Sequence, residues 1–127
     1  MSKVYLGARL RRIPELKVIR DSMAERGHEV VSSWIDADDS VVVNNDYSLP
    51  ENIRKELAAR NANDIARCDT LVAWVEPTVR GLLVEIGIAW ALGKKIIMVG
   101  NPNEVTPTIE LPGVIKVNDF FQVFDLL

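Results

Sequence analysis

The stretch Thr70-Leu-Val-Ala-Trp-Val75, followed by Gly81-Leu-Leu-Val-Glu-Ile-Gly-Ile-Ala-Trp-Ala-Leu92 and then Lys95-Ile-Ile-Met-Val99, decides the fold. Both short runs are apolar without alternation, the mark of strands covered on two faces. The segment between them is long enough for three turns of helix, and Gly93 stops it. Strand, helix, strand in this order is a crossover unit whose two strands run parallel.

Working outward, the same alternation extends to both ends. Lys3 to Gly7 reads as a short strand, and Ile13 to Arg26 as a helix with apolar residues at Ile13, Leu16, Val18, Ile19 and Met23. Gly27 sits where a helix ends in a residue of positive φ. Glu29 to Ile35 reads as a second strand. Asp36 to Leu49 mixes Asp, Asn and Ser around Val41-Val42-Val43 and reads as a loop or lid. Ser48-Leu49-Pro50-Glu51 has the form of a capping box, with Ser48 as N-cap of a helix running to about Arg67. Beyond Val99 come a Pro-rich loop from Gly100 to Gly113, a fifth strand at Val114 to Val117 and a terminal helix at Asp119 to Leu127. Five strands alternating with helices predict a single α/β domain over residues 1–127, a doubly wound parallel sheet. Lys3–Gly7 and Thr70–Val75 are expected as adjacent central strands. Ligands of such sheets lie beyond the carboxyl ends of the strands, where the strand order reverses.

Composition narrows the function. The chain has 127 residues, and Val, Ile and Leu supply 39 of them, enough for a core without disulfides or metal. Fifteen basic against 18 acidic residues give a net charge of −3, which argues against nucleic acid as the main partner. A single cysteine, Cys68, and a single histidine, His28, leave no disulfide framework, no cysteine-based zinc site and no histidine-centred triad. Cys68 reads as a small core residue and His28 as a turn residue. No apolar stretch approaches the ~20 residues of a membrane span, and no signal peptide is legible, so a cytoplasmic protein is expected. No cofactor is expected. Asp36, Asp38 and Asp39 with Asn44, Asn45 and Asp46 lack the spacing of a calcium loop and read as polar surface.

Glu85 is the residue that composition cannot explain. It is the one charged side chain between Gly81 and Leu92, on a stripe with Leu82, Ala89 and Leu92. An unpaired buried carboxylate costs several kcal/mol, so something must compensate it. Two readings stay open. It can be an acid favoured near a helix N-terminus by about 0.3–1 kcal/mol, or a nucleophile or base opening into a pocket, kept ionised by the same dipole. Gly7-Ala8-Arg9-Leu10-Arg11-Arg12, between the first strand and first helix, is either an anion site or a solvated basic turn. Trp34 reads as core, or as a platform for a base at a strand end.

Several blocks together resemble the short nucleoside 2-deoxyribosyltransferase-like proteins. They are Val4-Tyr5-Leu6-Gly7-Ala8-Arg9, Gly27-His28-Glu29-Val30-Val31-Ser32-Ser33-Trp34, Arg60-Asn61-Ala62-Asn63-Asp64-Ile65, Cys68-Asp69-Thr70-Leu71-Val72-Ala73-Trp74 and Glu76-Pro77-Thr78. Most specific is Arg80-Gly81-Leu82-Leu83-Val84-Glu85-Ile86-Gly87 ahead of Ala91-Leu92-Gly93-Lys94-Lys95. The resemblance implies a flavodoxin-like, Rossmann-like strand order 2-1-3-4-5. It also implies cleavage or transfer at the N-glycosidic bond of a nucleoside or nucleoside 5′-monophosphate through a glycosyl–Glu85 intermediate. It carries Asn61 to the position of an Asp that assists the departing base. An amide cannot shuttle a proton but can hydrogen-bond a base or sugar. Where the transferases place an acidic sugar-binding residue, this chain has Val79 with Arg80 beside it; Arg80 and Arg9 suit a phosphate. Tyr5, Gly7, Ala8, Arg9, Trp34, Arg80 and Gly81 are the implied substrate-binding positions, and a homodimer or higher homo-oligomer is the implied assembly. The competing reading is a non-catalytic nucleotide-binding or sensor domain on the same fold.

Overall fold

The computed structural model describes residues 1–36 and 49–127. Five parallel strands form one sheet: β1 (Lys3–Gly7), β2 (Glu29–Val30), β3 (Thr70–Trp74), β4 (Lys95–Val99) and β5 (Ile115–Val117). The order is β2-β1-β3-β4-β5, as the sequence predicts. Four α-helices are formed among the described residues: α1 (Ile13–Glu25), α2 (Glu51–Arg67), α3 (Gly81–Ala91) and α4 (Phe120–Phe124). Crossovers of the usual right hand put α1 on one face and α2 with α3 on the other. The packing agrees, with α2 against α3 and β1, and α3 against β3 and β4. The Arg26 guanidinium, just past α1, stacks 3.9 Å over the Phe124 ring of α4.

The register sets Gly7 beside Ala73 and Trp74 beside Val99, so the strands end together along one edge. The core is the sheet itself. Val4, Tyr5, Leu6, Leu71, Val72, Ala73, Ile97 and Met98 are wholly buried, with Leu16 and Met23 of α1, Ile65 of α2 and Ala89 of α3 packed on them. Cys68 is buried and unpaired at the foot of β3. The His28 Nδ1 accepts the backbone N–H of Ser2 at 3.1 Å, a turn role. Gly27 (φ +84°) and Gly93 (φ +72°) end α1 and α3 where the sequence places them.

Two expectations need correction. The second strand is two residues long rather than Glu29 to Ile35. Past Val30 the chain leaves the ladder because side chains take over its hydrogen bonds. The Ser32 hydroxyl accepts the Leu6 N–H at 3.0 Å, and the Trp34 indole N–H donates to the Leu6 carbonyl at 2.8 Å. Leu6 is thus satisfied with no backbone partner, and the chain turns into a 3-10 turn at Ser33–Asp36. The Asp64 carboxylate accepts both the Ser33 N–H at 2.9 Å and the Ser33 hydroxyl at 2.6 Å, fixing that turn. The second correction concerns the start of α2. Pro50 occupies the N-cap and Glu51 the first helical position, so Glu51 is two positions too early to close a capping box. Ser48 and the acidic stretch after Asp36 lie outside the described residues; Asp36 itself pairs with Arg20 at 2.9 Å.

Candidate active site

Strand order reverses between β1 and β3, so the crevice beyond Gly7 and Ala73 is where a ligand site belongs. Glu85 stands over it. Its carboxylate Oε1 accepts the Tyr5 hydroxyl at 2.9 Å. A Cβ built on Gly7 would lie 2.9 Å from Glu85 Oε2 and 2.4 Å from Leu82 Cδ1. Tyr5 and Gly7 share one face of β1, as the two-residue period of a strand requires, and α3 lies across that face. Gly7 is therefore a close-approach position: any side chain there would occupy the space of the carboxylate.

Glu85 is the fifth residue of α3, and the first turn of the helix holds no acid. At that depth the dipole of the helix N-terminus has largely fallen off. Burial instead pushes the Glu85 carboxyl up to about 7, and the Tyr5 hydrogen bond works against that rise only in part. The phenol moves the same way. Burial, then the charge and hydrogen bond of Glu85, raise Tyr5 far above its usual range, so it remains a donor. Near neutral pH the pair is a hydroxyl holding a carboxylate poised between its two protonation states. Such a group can act as a nucleophile or as a proton acceptor.

A second cluster closes the same edge. Arg12 grips Glu76 with two bonds, Nε to Oε1 at 2.8 Å and Nη2 to Oε2 at 2.6 Å. It thereby ties the segment after β1 to the segment after β3. The Arg12 guanidinium also lies 4.4 Å over the Trp74 ring, which meets Phe120 edge-on at 5.2 Å. Arg11 reaches Glu76 at 3.9 Å. The Arg12 bond, with the neighbouring arginine charges, holds the Glu76 carboxyl below the usual carboxylate range. Between Glu76 and α3 the chain carries Thr78 at φ +67°. A β-branched residue in the left-handed region costs on the order of 1–2 kcal/mol and persists only where its surroundings hold it.

Of the residues singled out by sequence, Tyr5, Gly7 and Glu85 come together in one contact group. Ala8 and Arg9 follow directly on β1, both half-buried, and Arg9 adopts the extended backbone ahead of the 3-10 turn Leu10–Arg12. Arg9 acts on Glu76 at longer range, without an ion pair within 4 Å among the described residues. Arg80 and Gly81 are exposed at the start of α3. Trp34 is buried, with its indole N–H committed to Leu6. Asn61 sits on α2, where its Oδ1 is buried with no hydrogen-bond partner among the described residues, as is the Nε of neighbouring Arg60. Sequence reasoning missed the Arg12–Glu76 tie, because no local spacing relates residues 64 positions apart. It also missed the partner of Tyr5, although a tyrosine inside a buried strand needs one. Among the described residues no cluster of three or more His, Cys, Asp or Glu could hold a metal ion, and no helix is long and apolar enough to cross a membrane.

A doubly wound sheet with a carboxylate over its switch point defines a class: the α/β proteins whose small-molecule sites lie beyond the strand ends. Within that class the chain belongs to the nucleoside 2-deoxyribosyltransferase family, whose model matches residues 4–127. Membership places its chemistry at the N-glycosidic bond of nucleosides or nucleotides. The fold is also that of the CMP N-glycosidase BcmB of Clostridium botulinum. The two share 24% identity over 98% of this chain and 99% of that one, with a TM-score of 0.54. No curated protein sequence matches the chain.

Proposed function

We propose that this protein cleaves the N-glycosidic bond of a nucleoside 5′-monophosphate or nucleoside, with Glu85 as nucleophile. The observation that carries the reading is the Glu85 carboxylate itself. It is held at 2.9 Å by Tyr5 and given room by Gly7, at the ends of the two central strands. Glu85 attacks the anomeric carbon with the oxygen that Tyr5 leaves free. The new C–O bond forms as the C–N bond breaks, and the electron pair leaves with the base, which takes a proton from solvent. Water, or a second base in a transferase, then attacks the same carbon and loses its proton to solvent, Glu85 leaves as the carboxylate, and configuration is retained. Tyr5 steadies the carboxylate but stays protonated throughout.

Asn61, whose buried Oδ1 has no partner among the described residues, binds the base or sugar without moving a proton. Arg9 and Arg80, with the backbone of Gly7, Ala8 and Gly81, receive the phosphate, and Trp34 braces the end of β1 through its indole bond to the Leu6 carbonyl. BcmB, of the same fold, is a CMP N-glycosidase, which accords with a monophosphate substrate. We read residues 1–127 as one catalytic domain, working without cofactor in the cytoplasm among nucleotide pools, and as a homodimer or larger homo-oligomer.

One observation favours a second reading, a nucleotide-binding or sensor domain that has lost turnover: the amide at Asn61 supplies no proton to a leaving base. A panel of nucleosides and 5′-monophosphates, incubated with the protein and resolved by chromatography, separates the two. Free base from one member of the panel supports cleavage. Ligand binding without release of base supports the sensor.

A further inference from the structure

The arginines beyond β1 already hold an anion, and it belongs to the protein. Glu76 takes two bonds from Arg12, at 2.8 and 2.6 Å, and lies 3.9 Å from Arg11. Its side chain is only 13% exposed, against 28% for Arg12 and 63% for Arg11. The other carboxylate nearby, Glu15, lies 3.7 Å from Arg12 Nη1 and is half exposed. Arg12 meets both carboxylates, Arg11 meets Glu76, and Arg9 adds its charge at longer range, so three guanidinium groups stand against two carboxylates in a chain of net charge −3. A guanidinium that grips a carboxylate through two parallel N–H bonds presents the same fork to two oxygens of a phosphate.

We infer that Arg12 joins Arg9 in the phosphate subsite, and that Glu76 is an internal competitor there, displaced from Arg12 when a phosphomonoester binds, which sets the preference between phosphorylated and unphosphorylated ligands. The inference rests on the N-glycosidic reading for the identity of the ligand, though not for the site. The phosphate dianion carries twice the charge of the carboxylate it replaces, so the exchange favours phosphate while raising the concentration needed for it. Displacement also reaches the nucleophile's helix. The Val79 N–H donates to the Glu76 carbonyl at 3.3 Å, closing the turn that holds Thr78 at φ +67° directly before α3. Freeing Glu76 removes one tether of that strained turn.

The test is calorimetric binding of 2-deoxyribose 5-phosphate to the wild type and to Glu76→Gln, with inorganic phosphate as a second probe. Glutamine keeps the length of the side chain and loses its charge. The inference predicts that the dissociation constant for the sugar phosphate falls at least tenfold in Glu76→Gln, with a change of the same sign for inorganic phosphate. An unchanged or weaker affinity would overturn it and leave the pair as a structural tie. Should Glu76→Gln not fold, Glu76→Asp decides the matter: the shorter acid keeps its charge but reaches Arg12 less well, and tighter binding than wild type is again required. Binding is read without turnover. A protein that cleaves no nucleoside or nucleotide would sink the N-glycosidic reading while leaving this test intact. Where turnover is found, the ratio of kcat/KM for a 5′-monophosphate to that for its nucleoside should rise at least tenfold in Glu76→Gln.

Discussion

The Tyr5 hydroxyl donates to Glu85 Oε1 across 2.9 Å, joining the first strand to a helix 80 residues further along the chain. The contact does two things at once. It satisfies a phenol that the core would otherwise leave without a partner, and it fixes the carboxylate over the strand ends. Burial raises the Glu85 carboxyl to about 7, so its charge changes within the range where the protein would work. A nucleophile must be ionised. Turnover should therefore climb with pH through about 7 and then level off, an ascending limb seen in kcat/KM. Tyr5→Phe removes the hydrogen bond that, among the described residues, favours the charged form. That variant should move the limb to higher pH and lower kcat/KM at pH 7 by roughly 10- to 100-fold. A limb that stays in place would show that Glu85 does not control the rate.

Stability should carry the same signature with its sign fixed by linkage. The Glu85 carboxyl has a higher pKa in the folded chain, about 7, than the ordinary value of 4.5 expected when unfolded. Below 4.5 both states are protonated and burial of the charge costs nothing. Between 4.5 and 7 the unfolded state loses its proton first, so stability falls as pH rises; above 7 the full cost remains. The size is on the order of 3 kcal/mol. Glu85→Gln removes this dependence. It should match the wild type at pH 4 within the cost of the altered Tyr5 bond and exceed it at pH 8, as read from urea midpoints. Equal or lower stability of the variant at pH 8 would mean the carboxylate is a structural partner.

Gly7→Ala tests the crowding at the site. The added methyl would meet Leu82 Cδ1 at 2.4 Å and Glu85 Oε2 at 2.9 Å, and both are ends of side chains that can shift. The fold should survive with a loss of about 1–3 kcal/mol. Moving the carboxylate off Tyr5 should cost at least tenfold in base release. Gly87→Ala, on the open side of the same helix with nothing within 4 Å, is the matched control and should stabilise by about 0.5–1 kcal/mol.

The sheet was legible because β1, β3 and β4 are buried on both faces, and continuous apolar runs record that directly. The second strand is shorter than its sequence pattern predicts for a reason no periodicity contains: Ser32 and Trp34 bond Leu6 through their side chains, ending the ladder after Val30. Glu85 stood out because a lone charge in an apolar helix is a local anomaly. Its environment did not, since Tyr5 and Gly7 meet it only through the packing of α3 across β1. Sequence places Glu85 near a helix start, but only the packing shows the burial that raises its carboxyl. Arg9 and its neighbours announced a basic turn in sequence, but Glu76, the anion they already hold, became visible only in three dimensions.

The most direct test of the central claim is intact-protein mass spectrometry after rapid acid quench, using the substrate that the panel identifies. The wild type should gain the mass of one sugar moiety as base is released, and peptide mapping should place it on Glu85. Glu85→Gln should show no adduct and lose base release by roughly a thousandfold or more. Undiminished cleavage by Glu85→Gln, or an adduct mapped to any other residue, would contradict the account.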